Sequence, residues 1–240
     1  MSGHSKWATI KRAKAVTDAK RGAIFTRISN VITIAAKEKG GDPETNFTLR
    51  MAIDKAKAAN MPKDNIEKAI KRGTGELKGE VIEELYYEGL GPANSQFIVK
   101  CLTDNKNRSA SNVRHIFSKY GGAFGAVMWN FEQKGVIRIS KEELGEHFNN
   151  ESFELALIDA GADDIIKEEE GLTVYSDTGA LQKIKELLES KSINAETAEL
   201  EYVAKNDQEA TGEDKEKIEK FIEELEDNED VSSYYTNINI

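Results

Sequence analysis

Gly135-Val136-Ile137-Arg138-Ile139-Ser140 opens a stretch, residues 135–203, whose pattern decides the fold. A helical stretch follows at 153–160, then two short apolar runs, Asp164-Ile165-Ile166-Lys167 and Leu172-Thr173-Val174-Tyr175. A second helical stretch covers 180–189, and Glu199-Leu200-Glu201-Tyr202-Val203 closes the set. Runs rich in β-branched and aromatic residues read as strands, and longer stretches with apolar residues every three or four positions read as helices. The order strand-helix-strand-strand-helix-strand is ferredoxin-like and complete in itself.

What flanks it is incomplete on either side. Upstream, Leu85-Tyr86-Tyr87-Glu88 and Gln96-Phe97-Ile98-Val99 read as a hairpin around Gly89, Gly91 and Pro92. A helix over 107–120 carries Val113, Ile116 and Phe117, and a strand is expected around 127–131. This unit lacks one helix and one strand. Downstream, Ile218, Phe221, Ile222 and Leu225 mark a helix, and residues 231–238 a strand. The expected organisation is therefore a discontinuous α/β domain, 80–133 plus 205–240, with a ferredoxin-like domain, 134–204, inserted into it.

Residues 1–79 read as helices. Phe25, Ile28, Ile32 and Ala35 share a face that ends at Gly40-Gly41. Leu49, Ile53 and Ala56 mark a second helix over 46–60, stopped by Pro62. Asp64-Asn65-Ile66-Glu67 reads as an N-cap with a carboxylate three positions on, opening a third helix that Gly73 closes. The fold class is α+β: a helical bundle followed by two α/β domains, the last inserted into the middle one.

Charge is divided as sharply as structure. The chain of 240 residues carries a net charge of -10. Residues 1–72 nevertheless hold 16 Lys and Arg against 7 Asp and Glu, a local +9, and the remainder is -19. Between Lys6 and Arg27 lie Lys11, Arg12, Lys14, Lys20 and Arg21 with a single acid, Asp18, and His4 and Trp7 stand beside them. A solvated helix face mixes signs to gain i,i+4 pairs. Here repulsion is uncompensated, and phosphate contacts with released counterions would relieve it. His4 and Trp7 can stack on a base or sugar.

A second basic group comprises Arg50, Lys55, Lys57, Lys63, Lys68, Lys71 and Arg72. Lys68, Lys71 and Arg72 share one face with Asp64. Asp104-Asn105-Lys106-Asn107-Arg108-Ser109 joins a strand to a helix; its Asn and Asp suit a turn and cap, while Arg108 and Arg114 could reach a phosphate at a helix N-terminus. Residues 205–240 hold 12 acids and 4 bases, a solvated helix that would also repel nucleic acid and orient the basic module toward it.

Signals for other chemistries are weak. His4, His115 and His147 have no cysteine pairs beside them, so no metal-ligand spacing arises. There is no P-loop motif, and Gly89-Leu90-Gly91-Pro92-Ala93-Asn94 lacks the third glycine of a dinucleotide loop. No nucleophile, base and orienting group can be assembled. The reading is a non-enzyme with no cofactor, metal or small-molecule substrate. Cys101, the single cysteine, sits in an apolar run as a core residue and points to a reducing compartment. No run approaches the ~20 apolar residues of a membrane span, and residues 1–7 do not resemble a signal peptide. The expected location is cytoplasmic, with no membrane partner.

Met1-Ser2-Gly3-His4-Ser5-Lys6-Trp7-Ala8-Thr9-Ile10-Lys11, then Asp18, Lys20-Arg21-Gly22 and Phe25, resembles the start of the YebC/PmpR family. Gly40-Gly41-Asp42-Pro43-Glu44, residues 56–67 (AKAANMPKDNIE), residues 102–108 (LTDNKNR), residues 114–119 (RHIFSK) and Lys134-Gly135-Val136-Ile137 continue the resemblance along the whole chain. It implies a helical N-terminal domain and two α/β domains, one within the other. It also implies a regulator of gene expression: many members are named as transcriptional regulators that bind DNA, while others, including a mitochondrial relative, act on the ribosome in translation. Placed on the matching positions, Lys6, Trp7, Lys11, Lys14, Lys20 and Arg21 are the expected nucleic-acid contacts, with Lys63 and Arg108 secondary. The partner is DNA or ribosomal RNA, and the ribosome itself is a candidate. Leu90-Gly91-Pro92-Ala93-Asn94 stands where members often have Tyr-Gly-Pro-Gly-Gly, and 121–127 is shorter than in members, so neither loop inherits a binding role. The lysine-rich stretch suits phosphate better than base edges, which call for Arg, Asn or Gln.

Overall fold

The structure, a computed structural model, describes Trp7 and residues 18–79 and 81–239. Three helices come first: α1 (Asp18–Lys39), α2 (Phe47–Ala58) and α3 (Lys63–Gly73). Ile28, Ile32, Ala35 and Ala36 of α1 pack on Leu49, Ala52 and Ala56 of α2 and on Ile66 and Ala69 of α3. A second side of α1, Ile34 with Val31, packs on Ile82 and Leu102 of the next domain. The helix is thus buried on two faces. Asn46 joins the bundle's first two helices: its side-chain oxygen accepts from the Leu49 N–H (3.0 Å), and its NH2 donates to the carbonyls of Ala35 (2.8 Å) and Gly40 (2.7 Å). One buried amide therefore caps α2 and satisfies carbonyls at the end of α1. Asp64 is not the cap of α3. Pro62 holds that position without a side-chain bond, and Asp64 lies in the first turn, where its charge favours the helix dipole instead.

The rest of the chain alternates. In order come β1 (Glu83–Leu90), β2 (Gln96–Thr103), α4 (Lys106–Lys119), β3 (Ala123–Phe124), β4 (Phe131–Ser140), α5 (Lys141–Leu144), α6 (Glu151–Asp159), β5 (Ala162–Lys167) and β6 (Gly171–Ser176). They are followed by α7 (Leu181–Ser190), β7 (Thr197–Ala204), β8 (Gln208–Glu209), α8 (Gly212–Asp227), β9 (Val231–Thr236) and β10 (Ile238–Asn239). One sheet has the order β3-β1-β2-β9 and another the order β5-β6-β4-β7, while β8 and β10 pair in parallel. Every pairing in the two four-stranded sheets is antiparallel. The β5-β6-β4-β7 sheet is ferredoxin-like, and because β9 returns to the first sheet afterwards, the second is inserted into the first.

The strand expected over 127–131 is a single 3-10 turn, Met128–Asn130, and β4 begins only at Phe131. A carboxylate oxygen of Glu88 on β1 accepts the N–H groups of both Val127 and Met128 at 2.8 Å, which draws the chain off the sheet. The short β3 takes the edge instead, against Gly89 and Leu90.

Each sheet has its own core. Phe97, Val99 and Cys101 of β2 meet Val113 and Phe117 of α4 and Phe221 and Leu225 of α8. Phe221 stands edge-on to Phe97 (4.8 Å) and to Phe117 (5.0 Å). Ile137, Ile139, Leu172 and Val174 meet Phe153, Leu157, Ile184 and Leu188 in the inserted domain. Alternation along β4 sends Val136 and Arg138 to the opposite face. There Arg138 lies fully buried in a two-pronged pair with Glu201 of β7 (2.5 and 3.0 Å). Ile98, Val127, Phe131 and Tyr235, with Tyr86 and Tyr202 against them, fasten the two sheets together.

Candidate nucleic-acid interface

The basic stretch identified from sequence runs into α1. Lys20 and Arg21 lie in the first described turn of α1, and their side chains, like all of Lys6, Lys11 and Lys14, fall outside the described residues. His4 does too. Trp7, by contrast, is described. The residue is 3% exposed, and its indole N–H donates to Glu168 at 2.7 Å in the β5–β6 turn. An indole so covered offers no free face to a base. The bond joins Trp7 itself to the β5–β6 turn of the inserted domain.

Arg27, counted in the same basic stretch, is also structural. Its guanidinium donates to the carbonyl of Glu226 and to that of Asn228 (3.1 Å), at the C-terminal end of α8. Those carbonyls carry the negative end of the helix dipole and have no intrahelical donor, so a cation there satisfies both. Burial lowers the Arg27 pKa, opposed by the nearby acids Asp227, Glu226 and Glu229.

The two secondary residues part company. Lys63, at the start of α3, is exposed, with only a loose contact to Glu67 (3.6 Å). Arg108 is engaged: it donates to Asp104 (2.8 Å) and to Asp230 (2.9 Å), which is itself buried. Its pKa is raised, chiefly by the hydrogen bond to Asp230. The expectation of a phosphate contact meets a guanidinium already bound to two carboxylates, which lock the start of α4 to the α8–β9 turn. Asn105 caps α4 by accepting from the Arg108 N–H at 3.0 Å, so the turn-and-cap reading of this segment describes what is seen. Arg114 lies over the ring of Phe124 at 5.1 Å. Lys68 and Lys71 are exposed and Arg72 half-buried on α3, and none of the three forms an ion pair among the described residues.

No group of His, Cys, Asp and Glu among the described residues could hold a metal ion, and no described helix is long and apolar enough to cross a membrane. Residues 5–76 match the TACO1/YebC protein N-terminal domain, and residues 82–238 match the TACO1/YebC second and third domain. The chain belongs to the TACO1/YebC family. The boundary between the two matches falls just before β1, and a single match spans both sheets, as their interleaving requires.

TACO1/YebC relatives align end to end. A protein of Caldanaerobacter subterraneus subsp. tengcongensis, named a probable transcriptional regulatory protein, is 46% identical over all of this chain and 99% of its own. One of Thermosipho melanesiensis with the same name is 47% identical over all of this chain and 94% of its own. A crystal structure of a conserved hypothetical protein from Aquifex aeolicus superposes with a TM-score of 0.84 and 38% identity, covering 94% of this chain and 93% of that one. Family membership and the relatives' names support a regulator of gene expression.

Proposed function

We propose that this chain is a non-enzymatic regulator of gene expression that acts in the cytoplasm by binding nucleic acid through its first domain. The supporting observation is the charge split: +9 over residues 1–72 against -19 over the rest. Over residues 1–72 the 11 lysines outnumber the 5 arginines, which favours contacts that run to phosphates and fix position rather than read sequence. Lys6, Lys11, Lys14, Lys20 and Arg21 carry the phosphate contacts, Lys63 adds one, and Trp7 bonds to Glu168 rather than serving as a stacking surface. The names of the relatives favour DNA and transcription.

The second reading, a ribosome-associated factor that contacts RNA, draws on the same composition, because shape and charge suffice for RNA where base-reading side chains are few. Crosslinking in cells, with sequencing of the recovered DNA and RNA, separates the two. Promoter fragments without ribosomal RNA support the transcriptional reading; ribosomal RNA without promoter DNA overturns it in favour of the translational one.

A further inference from the structure

The bundle carries a second basic feature that the N-terminal stretch does not use. An open cleft of about 250 Å³ lies between the last turns of α1 and α3 and the connector to β1, lined by Lys37, Arg72 and Lys78, with Leu77, Val81 and Ile82 beside them. The three cations come from three separate elements. None forms an ion pair among the described residues. Lys37 makes only a long contact to the Ile82 carbonyl (3.4 Å). Glu76, in the same connector, directs its carboxylate to the Thr74 hydroxyl instead (2.9 Å).

The connector is folded to keep this arrangement. The Leu77 N–H donates to the Lys71 carbonyl (3.0 Å) and the Gly75 N–H to that of Arg72 (3.3 Å), with Gly75 in the left-handed region (φ 81°). The stem of Arg72 lies against the Gly79 backbone, where a Cβ would stand 3.3 Å from it. Lys37 and Arg72 sit in the last turns of their helices, where the dipole steadies a cation without an acidic partner. They are held in place, and a phosphate entering the cleft breaks no ion pair among the described residues.

Two large apolar side chains stand beside them in solvent, Val81 at 67% and Leu77 at 42% exposure. The cleft is smaller than the 300–1,000 Å³ typical of small-molecule pockets, so a part of a polymer fits it better than a whole ligand. In a duplex the bases face inward and offer no apolar surface to such a rim. In a single strand they do.

We infer that this cleft binds a single-stranded nucleic-acid segment, Lys37, Arg72 and Lys78 holding its phosphates while Leu77 and Val81 contact a base or sugar. The inference rests on the nucleic-acid reading above and deepens it by adding a second contact site and a strand preference. The test uses the full chain with fluorescently labelled 20-nucleotide oligo(U), oligo(dT) and a duplex of equal length, titrated at several salt concentrations. K37A/R72A/K78A should weaken single-strand binding about tenfold or more at low salt and lower the salt slope by about two units, at ~0.7 per lost phosphate contact. L77S/V81S should weaken single-strand binding and leave the slope unchanged. K78A alone lies in the exposed connector, outside the helical core, and should weaken binding two- to threefold with an unchanged melting curve. The RNA and DNA arms show which backbone the cleft prefers. If K37A/R72A/K78A and K78A bind as wild type does while K6A/K11A/K14A/K20A loses affinity, the cleft is not a site and the nucleic-acid reading stands. If wild type binds none of the three probes, both are overturned.

Discussion

The indole N–H of Trp7 and the carboxylate of Glu168 meet at 2.7 Å across 161 positions of sequence. The same carboxylate oxygen accepts the Thr173 hydroxyl at 2.5 Å. A buried carboxylate needs such donors, since its charge is otherwise desolvated without return. Trp7→Phe keeps much of the apolar bulk and removes one donor, and should cost about 1–3 kcal/mol. Glu168→Gln should cost less on top of W7F than alone, because the two side chains share one bond. Urea unfolding of both single variants and the double variant measures this, and strictly additive effects would show the pair uncoupled.

Arg138 and Glu201 make the second long-range lock, buried within the inserted domain. Glu201→Gln leaves the guanidinium without its compensating charge and should cost about 3–5 kcal/mol. Replacing both partners by apolar residues, R138M/E201L, should recover most of that loss. Denaturant midpoints compare the variants; a double variant as unstable as the single one would mean that the pair contributes more than charge compensation.

Asn46 contributes through three hydrogen bonds at once. Asn46→Ala removes the cap of α2 and the two N–H donors that satisfy the Ala35 and Gly40 carbonyls at the end of α1, so a loss of about 1–3 kcal/mol is expected. Asn46→Asp keeps the cap and loses both donated bonds, and it should not restore stability. Thermal melts followed by circular dichroism decide between them.

Cys101 is fully buried, and desolvation pushes its thiol up to about 12 from an ordinary value of 9.0. Between those two values the unfolded chain ionises this thiol and the folded chain does not. The unfolded state then binds fewer protons, so stability conferred by the neutral buried thiol is intact below pH 9 and falls as pH rises through that window. Cys101→Ala should flatten this part of the alkaline stability profile. An unchanged profile would assign the alkaline loss to buried tyrosines such as Tyr175, whose phenol is also pushed up to about 12.

Most of the elements were legible in the sequence because each carries one strong period. Phe221, Ile222 and Leu225 mark α8 by spacing alone, and Val136 to Ile139 mark β4. The turn at Met128–Asn130 was not legible: its cause is Glu88, 39 positions earlier, whose carboxylate claims two N–H groups of the segment. Asp64 was misplaced for a related reason, since proline can open a helix without any side-chain cap. For the candidate site, composition located the charge and could not say which cations are already occupied. Arg27 serves the carbonyls of α8, and Arg108 serves Asp230. Lys37 and Lys78 lie 41 positions apart and share a cleft only because the connector folds back over α3.

The phosphate-contact claim is tested most directly by the salt dependence of binding of the full chain to RNA and to duplex DNA. With K6A/K11A/K14A/K20A, the slope of log affinity against log salt should fall by about three units on single-stranded RNA and about three and a half on duplex DNA relative to wild type, and affinity should drop alike on unrelated sequences. A wild-type affinity that does not change with salt, or a loss confined to one sequence, would contradict the account.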